Sequence, residues 1–205
     1  MIPLTLYLGF LAASALVLLI PGPNVALIVS ASIAHGPRAG LVTVAGTSAA
    51  MVLQLAMTIA GMTALLTISA EWFSALRWIG VAYLLYLGIR IWRTAPANLT
   101  RTPPPQPAAP AIFCRGLLVS LTNPKTLLFF SAFLPQFVSP VSPLLPQLLI
   151  VSASFLTLAM ILDASWALAA GRLRFLLEGK GRLRNRLSGG LLIGAGVGLA
   201  LAHKN

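Results

Sequence analysis

Only three carboxylate side chains occur in this chain, Glu71, Asp163 and Glu178, against fourteen Lys and Arg. Glu71 and Glu178 read as loop residues, but Asp163 sits in "LAMILDASWALAAG", inside an apolar stretch. A carboxylate there can carry a proton or pair with a cation, and at membrane depth it marks a substrate or proton path. Its opposite number is Lys125, in "LVSLTNPKTLLFFSAFLPQF", again surrounded by apolar residues. Just ahead of that lysine stand Asn123 and Pro124, a good helix N-cap and a residue suited to the first helical position. An earlier apolar run is interrupted in the same way by "PGPN", which is Pro21, Gly22, Pro23 and Asn24. Each interruption reads as the start of a new half-helix, whose free N–H groups and partial positive charge of about half a unit make a place for an anion. A zwitterion would suit the set, with its carboxylate at the half-helix starts and Lys125 and its ammonium near Asp163. A structural ion pair between Lys125 and Asp163 is the competing reading.

The elements that carry these residues follow from composition. The chain is 58% hydrophobic and 8% charged with a mean hydropathy of +0.93, whereas a soluble domain is about 45–50% apolar and about 25% charged. An all-α integral membrane protein is expected. Apolar windows of the length that crosses the hydrocarbon layer run from Leu4 to Ala34, Leu41 to Thr67, Phe73 to Trp92, Ile112 to Val138, Pro146 to Ala170 and Leu187 to Ala202. The first twenty residues carry no Lys or Arg ahead of their apolar run, so they read as the first span and not as a cleaved signal. The proline-rich segment 94–111, containing "TRTPPPQPAAPA", is expected to be a non-helical cytoplasmic linker between a first half, 1–93, and a second, 112–205. Together they form one transmembrane domain of six helices. "GKGRLRNR" reads as a basic loop before the last span.

With six spans, every Lys and Arg except Arg77, Lys125 and Lys204 falls on one side, which places that side in the cytoplasm and both termini outside. The net charge of +11 is then topology plus attraction to anionic lipid, with no nucleic-acid partner. Sliding the chain by the spacing of Pro23 and Pro124 aligns "PNVALIVSA" with "PKTLLFFSA", matching Pro, Leu, Ser and Ala. Three-span halves must insert upside down relative to one another, the inverted arrangement of secondary transporters with broken helices in spans one and four. Counted along the helices, Asn24, Lys125 and Asp163 lie roughly 10–20 Å from the cytoplasmic ends of their spans.

Other polar residues are weaker candidates. Ser30 and Ser32 on the first span and Thr47, Ser48 and Gln54 on the second are possible pore-lining groups, although such side chains more often bond back to a helix. Arg77 and Arg90 are expected to snorkel, His35 to be interfacial, and Trp72 and Trp92 to anchor the third span. Gly190, Gly194 and Gly198 put a glycine face on the last span, for contact within the fold or in a homo-oligomer. One cysteine, Cys114, excludes an internal disulfide and a thiolate metal cluster. With His35 and His203 at membrane edges and one interior acid, no metal site, cofactor or hydrolase constellation is expected. A non-transporting scaffold would have no use for interior breaks and charges, each of which costs stability.

The early "PGPN", "GVAYLLYLG" in the third span, "NPKTLLFFSAFLPQF" in the fourth, the acid in the fifth and the glycine-rich last span resemble the LysE/RhtB superfamily of amino-acid exporters, from about Leu4 to Leu201. The resemblance implies export of amino acids or close derivatives by a six-span plasma-membrane protein, driven by the proton gradient. It matches Pro21, Gly22, Pro23, Asn24, Asn123, Pro124 and Lys125 to family landmarks and Asp163 to the family's acidic position. Many members carry an acid in span two; here that stretch reads "AGTSAAMVLQ", with Met51 about where it would fall. Its loss argues against a cationic substrate, favours a neutral one and leaves Asp163 as the interior proton carrier.

Overall fold

A computed structural model describes residues 2–61, 70–93, 107–130, 134–139, 142–176 and 181–201. Within those residues all regular structure is helical: α1 (Leu4–Leu19), α2 (Pro23–His35), α3 (Pro37–Ala60), α4 (Ala70–Arg93), α5 (Ala109–Leu121), α6 (Pro124–Leu128), a 3-10 turn (Leu134–Phe137), α7 (Leu144–Leu176) and α8 (Gly181–Leu201). The six apolar windows fall on these elements in order: the first on α1 with α2, the fourth on α5, α6 and the 3-10 turn, and the others on α3, α4, α7 and α8. Among the described residues α3 and α7 are each long and apolar enough to cross a membrane. The pair α1 and α2 passes as one unit bent by 51° at its break. Many large apolar side chains face outward, Leu4, Leu8, Leu16 and Ile20 of α1 among them, as a hydrocarbon surrounding allows and water does not.

Three boundaries differ from the sequence reading. Helix α5 starts at Ala109, inside the expected linker, because Pro110 falls in the first turn, where its missing N–H costs nothing; residues 94–106 lie outside the described residues. The stretch read as a basic loop is helical from Gly181, so the last helix begins earlier than Leu187, with Arg186 resting over the Trp92 ring at 6.0 Å. Glu71 is not in a loop but in the first turn of α4. Glu178, His203 and Lys204 lie outside the described residues.

Prolines and glycines punctuate the helices. Gly36, at φ 95°, is at once the last cap of α2 and the first of α3, and Pro37 opens α3. Only glycine adopts that φ without strain, so the two helices turn back on each other with no loop. The closest packing joins the first part of the chain to the second. At the α3–α5 crossing a Cβ on Gly116 would lie 2.7 Å from the Thr43 carbonyl oxygen, and one on Gly46 would collide with the Phe113 carbonyl. At the α4–α8 crossing a Cβ on Gly189 would lie 2.7 Å from the Gly88 oxygen. The glycine face of α8 is therefore used at Gly189; Gly190 lies near Trp92, and nothing comes within 4 Å of a Cβ at Gly194. The largest core cluster is aromatic: Phe10 of α1, Phe129 and Phe130 after α6, and Phe155 of α7. Phe129 and Phe155 stack at 5.1 Å, and Phe130 meets Phe155 edge-on at 4.9 Å.

Gly116→Ala is expected to cost about 1–3 kcal/mol by overpacking the α3–α5 crossing, whereas Gly194→Ala leaves stability unchanged or slightly raised through better helix propensity. Thermal unfolding of the two purified variants in detergent checks the contrast.

Candidate functional site

A break in an apolar helix frees N–H and C=O groups that need partners inside the protein. The two breaks meet these demands differently. At the second, Asn123 is the N-cap of α6, its Oδ1 accepting from the Lys125 N–H at 3.1 Å. At the first, Gly22 is the N-cap of α2 in an extended conformation and supplies no side-chain cap. The two half-helix starts thus differ: α6 is capped by its own asparagine, while the first turn of the thirteen-residue α2 has no side chain spent on it.

The breaks also touch. Asn123 Nδ2 donates to Asn24 Oδ1 at 3.0 Å, Asn24 Nδ2 donates to Ser120 Oγ at 3.1 Å, and Ser120 Oγ donates to the Thr47 carbonyl at 3.2 Å. Gln54 Nε2 donates to the Ser120 carbonyl at 2.9 Å, beside the Asn123 N–H that donates to the same oxygen at 3.1 Å. Lys125 Nζ crosses to the first break and donates to the Ile20 carbonyl beyond the end of α1. Thr126 Oγ1 donates to the Asn123 carbonyl at 3.0 Å.

This network borders a small cavity with two unlike walls. Gly22, Asn24, Asn123, Lys125, Thr126 and Asp163 form one; Val17, Leu18, Val25, Met51 and Phe155 form the other. Asp163 is buried, and its Oδ2 has no hydrogen-bond partner. Lys125 lies on the same cavity, yet its ammonium is given to Ile20 rather than to that carboxylate. Ion and counter-ion thus flank one space without closing on each other. The cavity volume is about 20 Å³, enough for a water but far below the roughly 300–1,000 Å³ of an open ligand pocket. The cluster of Phe10, Phe129 and Phe155 adjoins the cavity through Leu18, Met51 and Phe155, and Ile28, Val44 and Ala167 form a separate small cluster.

Of the residues singled out in the sequence, Gly22, Asn24, Asn123, Lys125 and Asp163 come together on the cavity. Pro23 and Pro124 open α2 and α6 as expected, and Pro21 is exposed. Ser30, Thr47, Ser48 and Gln54 are buried but do not line the cavity, and neither does Ser32. Thr47 Oγ1 bonds back to Val44 of its own helix, and Gln54 serves α5. Ser120, Thr126 and Phe155 belong to the site or its support and were not singled out. A serine or threonine inside an apolar helix carries no spacing signal of its own, although Ser120 stands one turn before the Asn123 break.

The family model for LysE type translocators matches residues 15–203. The chain is 31% identical over 199 residues to the homoserine/homoserine lactone efflux protein of Salmonella typhimurium, covering 96% of this chain and 97% of that one. It is 32% identical to the protein of the same name from Salmonella typhi, again over 96% and 97% of the two chains. An uncharacterised membrane protein of Vibrio cholerae is 32% identical over the same shares. No solved structure matches. With the family model spanning the two breaks, Lys125 and Asp163, the chain belongs to the LysE type translocators.

Proposed function

We propose that this protein exports a small amino acid or a close derivative, most of all a neutral one, from the cytoplasm by antiport with protons. The observation that carries the reading is the cavity itself: an ammonium, an uncapped helix start and a buried carboxylate with an unpartnered oxygen around one small space. The substrate carboxylate takes Lys125 from the Ile20 carbonyl and bonds to the first turn of α2; its ammonium pairs with Asp163. When Asp163 takes a proton the pairing is lost, so that proton and substrate exclude one another there and alternate across the membrane. Met51 rather than an acid on the facing helix favours an uncharged side chain. The names of the two Salmonella relatives, homoserine and its lactone, are compatible with that substrate class.

The architecture we propose is one transmembrane domain of six spans in two inverted halves, 1–93 and 112–205, with the first and fourth spans broken and 94–111 as the cytoplasmic linker. Helix packing supports it: α3 against α5 has its counterpart in α7 against α1 and α2, while the α3–α7 and α4–α8 pairs map onto themselves. The start of α3 meets the end of α7 at Pro37 and Gly171, and the end of α4 meets the start of α8 at Trp92 and Arg186. These contacts gather Arg38, Arg90, Arg93, Arg172, Arg182 and Arg186 at helix ends that the charge rule assigns to the cytoplasm of the cell's inner membrane, with both termini outside. If copies associate through the α8 glycine face, Gly194 is the position left open for it.

Everted vesicles with an imposed pH gradient, offered labelled homoserine, alanine, serine and lysine, test the reading. Gradient-dependent accumulation of a neutral amino acid is expected. A bond change in the substrate without movement would favour a membrane-embedded enzyme, and neither would favour a scaffold. Asp163→Asn is expected to abolish gradient-driven accumulation while membrane insertion, followed by fluorescence size-exclusion, stays at the parent level. Lys125→Met removes a charge-assisted bond worth about 1.5–3 kcal/mol and is expected to raise the apparent KM about ten- to a hundredfold. An unchanged KM would remove Lys125 from carboxylate binding.

A further inference from the structure

We infer that the apolar wall of Leu18, Met51 and Phe155 is the subsite for the substrate's side chain, and that Met51 sets which short, uncharged side chains enter. The inference rests on the export reading above and deepens it. An α-amino acid carries three groups on its central carbon besides hydrogen. Two are charged, and the polar wall offers each a partner: Lys125 and the α2 start for the carboxylate, Asp163 for the ammonium. The third group is left with the opposite wall.

That wall is dry. Leu18, Met51 and Phe155 are 7%, 1% and 0% exposed, and the described residues lining the cavity include no carboxylate besides Asp163. A second positive charge on the substrate would be stripped of water with nothing to pair it, which costs several kcal/mol. A negative one would meet the same penalty. Lysine-like and glutamate-like side chains are therefore refused, and short aliphatic or hydroxyl-bearing ones are accepted.

Size is set by what can give way, because about 20 Å³ will not admit a side chain unless the wall moves. Phe155 is held between Phe129 and Phe130 by ring contacts at 5.1 and 4.9 Å. Leu18 packs into the same aromatic cluster. Met51, unbranched with a polarisable thioether, refits around differing shapes at the least cost. It is the one residue of α3 among the described residues lining the cavity, while Thr47 Oγ1 and Gln54 Nε2 bond to the α3 and α5 backbones. The adjustable boundary of the space is thus a single side chain.

Proteoliposomes holding wild type, Met51→Ala or Met51→Glu would be assayed for proton-driven movement of labelled alanine, homoserine, leucine, phenylalanine and lysine, each ranked by initial rate. In wild type, alanine and homoserine should exceed lysine and phenylalanine by about tenfold or more. Met51→Ala should raise leucine or phenylalanine relative to alanine by about tenfold. Met51→Glu should raise lysine relative to homoserine by a similar factor. Variants that move substrate with the wild-type ranking would overturn the subsite assignment while leaving export intact. Wild type that moves none of the five would overturn the export reading and the subsite with it. Met51→Ala, which only removes atoms, keeps the test decisive if the buried glutamate prevents insertion.

Discussion

A helix interrupted in an apolar surrounding must find partners for the backbone groups that it releases, because neither lipid nor a dry core supplies any. Nearly every polar contact in the middle of this protein answers that demand. The carbonyl of Ile20 is held by Lys125, that of Ser120 by Gln54, and the Lys125 N–H by Asn123. Asn123 caps its own half-helix, Lys125 reaches across to the other break and Gln54 reaches in from α3, and the two interruptions are joined through Asn24 and Asn123. The site is what remains where the repair stops short. Gly22 has no side chain to cap α2, and Asp163 Oδ2 has no donor.

Two apolar clusters join α3 to α7, and they are unlike. One contains the interlocked rings Phe10, Phe129, Phe130 and Phe155, drawn from α1, from the two residues that follow the five-residue α6, and from α7. The other is the small cluster of Ile28, Val44 and Ala167 on α2, α3 and α7, helices fixed further along by the Gly36 turn and the contact of Gly171 with Pro37. Helix α1 is the least embedded of the long elements. It packs mainly on α7 and the 3-10 turn, with Phe10, Ser14 and Leu18 as its buried residues. The 51° bend at Pro21 and Gly22 thus separates a lightly held helix from a tightly held one.

How far the sequence reached depends on the kind of signal. Prolines and asparagines at helix starts are local, so the breaks at "PGPN" and "TNPK", the cap at Asn123 and the apolar windows could be read residue by residue. A charge in an apolar run is equally conspicuous, which is why Lys125 and Asp163 stood out and do share a cavity. What depends on the rotation of one helix against another was not legible. Gln54 reads as a channel group yet serves the end of α5, and Ser120 joins both breaks without any spacing to announce it. Glycine spacing on α8 pointed to Gly190 and Gly194, while the close crossing uses Gly189, because the α4 face opposite it is set by Gly88. The difference between the capped and uncapped half-helices was visible as glycine against asparagine, but its meaning needed the geometry.

The polar groups of the first break take their partners from Ser120, Asn123 and Lys125, and Tyr7 of α1 lies 2.8 Å from Ser154 of α7. During synthesis the ribosome must add about a hundred residues after "PGPN" before any of these exist. Until then the Asn24 amide and the Ile20 carbonyl lack the partners they have in the finished fold, so the closing of the first break is tied to the synthesis of the second.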